Sequence, residues 1–474
     1  MSSKAIIMVG GDTRGTRFRP LSLDIAKVLF PIAGKPILSH IIDSVLLVPT
    51  VTEILLIGFY EASTFSDFIH DYQVKFRFQK RKISIKYLRE FKALGTAGGL
   101  YHFREEILRG NPINFFVIHG DIVCSYPLVD IYNFYESKQN FEKVDAVIFG
   151  VKIQDYNLFL ALNGPEFSSS GANFGTIVSD NHGKVVHYVE KPESKISNVI
   201  NGGIYMFNER LFRRLSNAKI SKISIANDVA HPEFVDEDVI SLEEDILKDL
   251  PESSTTYVYE YKGFWKQVKT PSGALFANEL YLDKVYQSRH RQIFSNDENK
   301  SNSASSSSGE DEEGVVILAK PSANIVPPVY IHPSCAIADD VKIGPYVSIG
   351  ENVTIEKGAR ISNSIILPNT EIHAHSIVLN SIISYGCKVK EWCRIEGTGV
   401  NLATLNEIVR KGPKALGKLK SAVTAQQQVI GVRDTGNICI LGSNTVVSDD
   451  CYVLNSFILP NKTIKHDVKY EIIM

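Results

Sequence analysis

Residues Ala5-Ile6-Ile7-Met8-Val9-Gly10-Gly11-Asp12-Thr13-Arg14-Gly15-Thr16-Arg17-Phe18-Arg19-Pro20, with Lys27 seven positions further on, decide how this chain is read. An apolar run that ends in glycines reads as a buried strand opening into a turn. Glycine lets main-chain N–H groups come close to a ligand, and Arg and Lys neutralise charge, so the segment has the chemistry of a phosphate cradle. Working outward, residues 1 to about 290 alternate apolar runs with amphipathic stretches. Ile54–Gly58, Phe115–Ile118 and Ala146–Gly150 read as buried strands, and His40–Leu47 and Leu128–Ser137 as helices. That alternation predicts a mostly parallel, Rossmann-like α/β sheet covered on both faces. Ligands on such sheets bind beyond the carboxyl ends of the strands, where Gly10 falls.

Composition sets the bounds. A chain of 474 residues exceeds one hydrophobic core, and 44% hydrophobic with 22% charged residues is globular usage. A net charge of −2 gives no electrostatic case for nucleic acid or a membrane surface. Six cysteines without a C-x-x-C pair fit reduced thiols, and no apolar run approaches the ~20 residues of a membrane span. The expectation is a soluble, cytoplasmic protein.

Composition shifts near residue 296. Asn296–Glu313 is rich in Asn, Ser, Asp and Glu, so 291–320 is expected to be a flexible linker. From Pro321 a period of six appears. Ile331, Ile337, Ile343, Ile349, Ile355 and Ile361 are one register, and Cys335, Val341, Val347, Val353 and Ala359 a second. After a slip of one come Ile366, Ile372 and Val378, then Ile383, Val389 and Ile395. Ile440, Val446, Tyr452, Ile458 and Ile464 form the last set. Hexad spacing stacks equivalent side chains, which predicts a parallel β-helix over 321–474. The hexads stop across 398–436, where Asn401–Gln428 reads as a helical insertion, either a tolerated surface insertion or, since insertions of this length are uncommon unless functional, a partner-docking element.

The glycine segment resembles the G-G-x-G-T-R-x-x-P-x(n)-P-K signature of sugar-phosphate nucleotidyltransferases, although three residues rather than one separate Gly11 from Gly15. The resemblance covers nearly the whole chain, including a left-handed hexapeptide β-helix. It is closest to the GDP-mannose pyrophosphorylases and, among them, to the alpha or regulatory subunits, through Leu56–Tyr60, Gly98–Arg104 and Gln267.

The resemblance assigns roles. Gly10, Gly11, Gly15, Thr16, Arg17 and Lys27 supply the cradle and its cations, although Ala26-Lys27-Val28 lacks the prolines that flank the family lysine. Leu94, Gly95, Thr96 and Gly98 lie in the nucleobase segment. Asp121 matches the first metal aspartate, with His119 where an asparagine or similar residue is usual. Glu190 and Lys191 match V-E-K-P, and Asn201 and Gly203 match N-x-G-x-Y, both sugar-contact segments. The second metal carboxylate is missing: Gly263-Phe264-Trp265-Lys266-Gln267 has an amide in its place. A neutral amide adds no anionic charge for Mg²⁺, and Lys266 and Lys269 disfavour a cation further.

Mg²⁺ is therefore expected to be weak or absent, with GDP-mannose or GTP as ligand. The expected partners are a catalytic beta-subunit paralogue and further copies of the chain. The reading is a regulatory pseudo-enzyme. Its rivals are an active guanylyltransferase, a translation-factor exchange subunit, and an acyltransferase using His373 or His375 on the β-helix.

Overall fold

The computed structural model describes residues 2–11, 16–78, 82–153, 174–228, 238–297, 324–399 and 437–474. Asp12 and Gly15, residues 298–320 of the expected linker and the expected helix at 401–428 lie outside them. By compactness the chain divides into two units: 1–15 with 37–267, and 16–36 with 268–474. Composition alone put that boundary near 290. The helix Pro271–Asp297 continues through the first residues assigned to the linker and belongs with the second unit.

In the first unit, Ser3–Gly10 is the central strand. It pairs in parallel with Val51–Gly58 on one side and Asn114–His119 on the other, and Ser84–Arg89 extends the parallel half. These strands read as continuous apolar runs because both faces are buried: Ile6, Leu55, Ile57 and Val117 are fully shielded. The expectation of a mostly parallel sheet holds for this half only. Val199–Phe207 lies antiparallel to Asn114–His119 and to Ala146–Lys152, so the sheet is mixed. At the carboxyl end of the central strand, Gly10 takes a φ of +78°, and its carbonyl accepts from Phe59 N–H at 2.8 Å. A Cβ on Gly58 would lie 2.3 Å from that carbonyl, which explains a glycine there.

The second unit is a three-sided parallel β-helix, the left-handed hexapeptide solenoid, with sheets of seven, six and six strands. Interior residues stack across coils as Ile349↔Ile366, Ile355↔Ile372 and Ile361↔Val378. Two residues before many interior aliphatics comes a small side chain: Ala359, Ser364, Thr370, Ser376, Ser381, Cys387, Cys393, Cys439, Thr445 or Ser456. Many give their one proton to a turn carbonyl, as Thr370 Oγ1 does to Ser384 O at 3.0 Å and Cys393 Sγ to Ser448 O at 2.9 Å. This explains cysteines that are buried yet unpaired.

Two sequence expectations change. Ile331, Cys335 and Ile337, in the first coil, are only partly buried. In the last set the interior residues are Leu441, Val447 and Val453, aligned with Ile383, Val389 and Ile395, and not Ile440, Val446 and Tyr452. The interruption at 400–436 breaks the count, so phase must be found anew where Ile440 and Leu441 are both buried. Ile440 belongs to a second column, Ile365, Ile382, Ile440 and Phe457, on the opposite face of the same sheet. The helix Pro271–Asp297 packs against that sheet.

The register can be checked with one chemistry at adjacent positions. Val447→Ala should destabilise the β-helix by about 2 kcal/mol through lost burial and a cavity, and Val446→Ala by less than about 0.5 kcal/mol. Urea unfolding of the full chain measures both, and the reverse order would restore the phase read from sequence.

Candidate functional site

Strand Asn114–His119 carries its chain to the mouth of the sheet, where Gly120 N–H donates to Met8 O and Asp121 follows. Ile122–Cys124 then pairs antiparallel with Trp265–Gln267, in the register Gln267↔Ile122. Trp265 Nε1 donates to Gly202 O at 3.0 Å and fixes the ribbon to the sheet. The pairing sets Gln267 beside Asp121. Its amide Nε2 donates to both carboxylate oxygens, at 3.3 and 3.4 Å. The amide must point this way, since its oxygen facing a carboxylate would set acceptor against acceptor.

That geometry tests whether Mg²⁺ fits. The ion needs oxygen ligands near 2.0–2.1 Å, and an N–H donor cannot be one. Among the described residues no group of three or more His, Cys, Asp or Glu side chains could hold a metal. The pair Asp121 and Gln267 does not fit a site built for two carboxylates.

The two segments expected to contact sugar, at Glu190–Lys191 and Asn201–Gly203, converge beside this ribbon. Asn201 is buried and its amide is committed: Nδ2 donates to Tyr188 Oη at 3.1 Å and Tyr205 Oη at 2.8 Å, and Oδ1 accepts from Gly203 N–H at 3.1 Å. Gly203, with φ at +74°, makes that turn possible. Tyr188 Oη donates to Glu190 Oε2 at 2.8 Å. Lys191, also in the left-handed region, brings Nζ to 3.6 Å from Glu190 Oε1 and is mostly exposed. Asn201 is thus a hub that sets two rings, while Glu190 and Lys191 form the outer polar edge. Burial pushes both phenols well above their ordinary value. It also raises the Glu190 carboxyl, with the charge of Glu243 adding to the effect.

The segment Leu94–Gly98, expected to read a nucleobase, is held by a stretch that sequence reasoning passed over. Ala97 and Gly98 N–H groups point to Ile240 O, at 2.9 and 3.3 Å, and Ile240 N–H returns to Leu94 O at 3.0 Å. A Cβ on Gly95, whose φ is +84°, would meet Ile240 O at 2.5 Å; one on Gly98 would meet Asp238 O at 2.6 Å. Thr96 Oγ1 donates to Glu243 Oε2 at 2.8 Å and accepts from Leu242 N–H at 2.7 Å. Glu243 Oε1 lies 3.6 Å from His119 Nε2, and His119 packs edge-on against Tyr205. Glu243 therefore joins the Leu94–Gly98 segment to the network around Asn201 and Tyr205. It sits in Ser241-Leu242-Glu243-Glu244, which carries no motif, and its partners are distant in sequence.

Gly10 ends the central strand and Gly11 follows it, where an added Cβ would lie 3.0 Å from Phe59 Cβ. Gly15 is outside the described residues. Thr16 and Arg17, exposed on the turn Thr16–Phe18, and half-buried Lys27, on the turn Lys27–Leu29, belong to the unit that contains the β-helix. On that β-helix, His373 lies 3.2 Å from Glu356 and 3.4 Å from Glu371, and His375 stacks on Trp392.

A mixed α/β sheet followed by a hexapeptide solenoid is the architecture that the resemblance to nucleotidyltransferases implies. Sequence profiles agree: the one described as "Nucleotidyl transferase" matches residues 4–231, and the "GMPPB C-terminal domain" matches 325–473. A probable mannose-1-phosphate guanyltransferase of Schizosaccharomyces pombe is 35% identical over 100% of both chains. The mannose-1-phosphate guanylyltransferase regulatory subunit alpha-B of Danio rerio is 35% identical over 99% of this chain and 100% of its own. Regulatory subunit alpha of Dictyostelium discoideum is 33% identical over 100% and 99%. The chain belongs to the mannose-1-phosphate guanylyltransferase family.

The raised Glu190 carboxyl has a signed consequence. Because its folded value lies above the ordinary 4.5, the stability it lends is full below pH 4.5 and is lost as pH rises through the folded value. Glu190→Gln keeps the acceptor for Tyr188, so it should match the wild type below pH 4.5 and show a higher Tm at pH 7. Thermal unfolding across pH checks this, and a variant Tm at or below wild type at pH 7 contradicts it.

Proposed function

We propose that this chain is a regulatory subunit that binds a nucleotide sugar and controls a catalytic paralogue, without turning over substrate itself. The observation that carries the reading is the Gln267 amide donating to both oxygens of Asp121. Joining a sugar 1-phosphate to GTP is an attack on the α-phosphorus in which negative charge must be neutralised at the reacting oxygens. An amide–carboxylate pair supplies no positive charge there, whereas the groups suited to holding ligand are kept.

The residues proposed to bind are Gly10, Gly11, Gly15 and Thr16 with Arg17 and Lys27 for phosphates, Leu94–Gly98 for the base, and Glu190 and Lys191 for the sugar. Asn201 and Gly203 shape the sugar edge from behind. GDP-mannose is the proposed ligand because relatives over the full length are named mannose-1-phosphate guanylyltransferases. Relatives named regulatory subunit alpha support a beta-type catalytic partner, with residues 398–436 proposed as the docking element. A cytoplasmic location fits six unpaired cysteines and the lack, among the described residues, of a helix long and apolar enough to cross a membrane.

A second reading, an active guanylyltransferase, is favoured by the Schizosaccharomyces pombe relative, whose name carries no regulatory qualifier. Turnover separates the two. The purified chain given GTP, mannose 1-phosphate and Mg²⁺ is expected to release no diphosphate above background. Turnover of about 1 s⁻¹ or faster, within the usual enzyme range, would establish the second reading.

A further inference from the structure

Thr16–Pro36 carries the Arg17 and Lys27 cations, and the structure ties it to the β-helix unit at two places. One is a hairpin, Pro31–Ile32 with Lys35–Pro36, which turns through Ala33 and Gly34 at φ of +49° and +83°. Ala33 N–H donates to Asn278 Oδ1 at 2.9 Å, and that oxygen also accepts from Ser348 Oγ of the solenoid at 2.6 Å. The ring of Tyr330 occupies the place a Gly34 Cβ would need.

The second tie is a carboxylate. Ser443 Oγ donates to Asp24 Oδ2 at 2.7 Å. Since Ser443 has a single hydroxyl proton, its 2.9 Å bond with Ser384 must be donated by Ser384. Both serines are buried, so Asp24 rests on a pre-aligned hydroxyl pair. Its charge also reaches Tyr385 and Cys387: burial pushes each of them to about 12, and Asp24 adds to the rise. Asp24 ends the turn Leu21–Leu23, between the turn bearing Arg17 and the turn bearing Lys27. The two serines come from the coils on either side of residues 400–436 in sequence.

We propose that Asp24, held by Ser443 and Ser384, is a positioning residue that presents Arg17 and Lys27 to the ligand's phosphates, so that the solenoid helps to set ligand affinity. The inference rests on the reading of those cations as phosphate-binding. Long cationic side chains lose rotamer freedom on binding, and a backbone fixed beforehand lowers that cost. Coupling of this kind changes affinity by about fivefold or more.

The full chain is titrated calorimetrically with GDP-mannose, and amide exchange of residues 19–30 is followed without ligand. Ser443→Ala should weaken binding by about fivefold or more and speed exchange at Leu23, Leu29 and Phe30, while Ser443→Thr should restore both. In a Lys27→Ala background Ser443→Ala should have no further effect on affinity, which a general loss of stability would not produce. Wild-type exchange and affinity in Ser443→Ala, alongside weakened binding in Lys27→Ala, would overturn the proposal. If Lys27→Ala binds as wild type, the reading of the cations fails instead. The exchange result then decides positioning alone: faster exchange supports it and unchanged exchange overturns it.

Discussion

A carboxylate at the mouth of a sheet has to be met by donors or by a cation, and at Asp121 the Gln267 amide meets both of its oxygens. The contact depends on the ribbon Ile122–Cys124 with Trp265–Gln267, and the ribbon depends on Trp265 reaching Gly202 O. The same turn region holds Gly203, whose N–H fixes Asn201, and Asn201 aims Tyr188 at Glu190. The polar groups around Asn201 and the Asp121–Gln267 pair are therefore parts of one hydrogen-bonded assembly. An amide at Gln267 fills the place beside Asp121 with hydrogen-bond donors and no charge, which is the feature the proposed loss of turnover rests on.

Glu243 brings the remaining segment into this assembly. Its carboxylate receives Thr96, lies near His119, and raises the carboxyl of Glu190 through charge. Burial raises the carboxyl of Glu190 and the phenols of Tyr188 and Tyr205, and perturbed groups of this kind tend to gather at functional sites.

Much of this was legible in the sequence. The glycine run after Ala5–Val9 marked the strand and its mouth, and Gln267 stood out because its neighbours Gly263, Phe264 and Trp265 matched a familiar pattern. Hexads revealed the solenoid because one side chain on each of the three faces of a coil must fill its interior. Glu243 stayed hidden, since its contacts with Thr96 and His119 span long stretches of chain and follow no period. The phase error at Ile440 arose because that sheet is buried on both faces, so burial no longer separates inward from outward residues. The allegiance of Thr16–Pro36 was equally hidden. Sequence groups it with the glycine turn, but its bonds run to Asn278 and Ser443.

The cations of the signature, Arg17 and Lys27, belong to one compact unit and its first glycines to the other, and the Asp121–Gln267 pair is the point at which the proposed function can be tested. The most direct measurement is calorimetric titration of the full chain with GDP-mannose, once with Mg²⁺ and once with the metal chelated. Binding that is present and equal in both is expected if the amide has replaced the metal. Tightening by tenfold or more on adding Mg²⁺, about 1.4 kcal/mol, would contradict it.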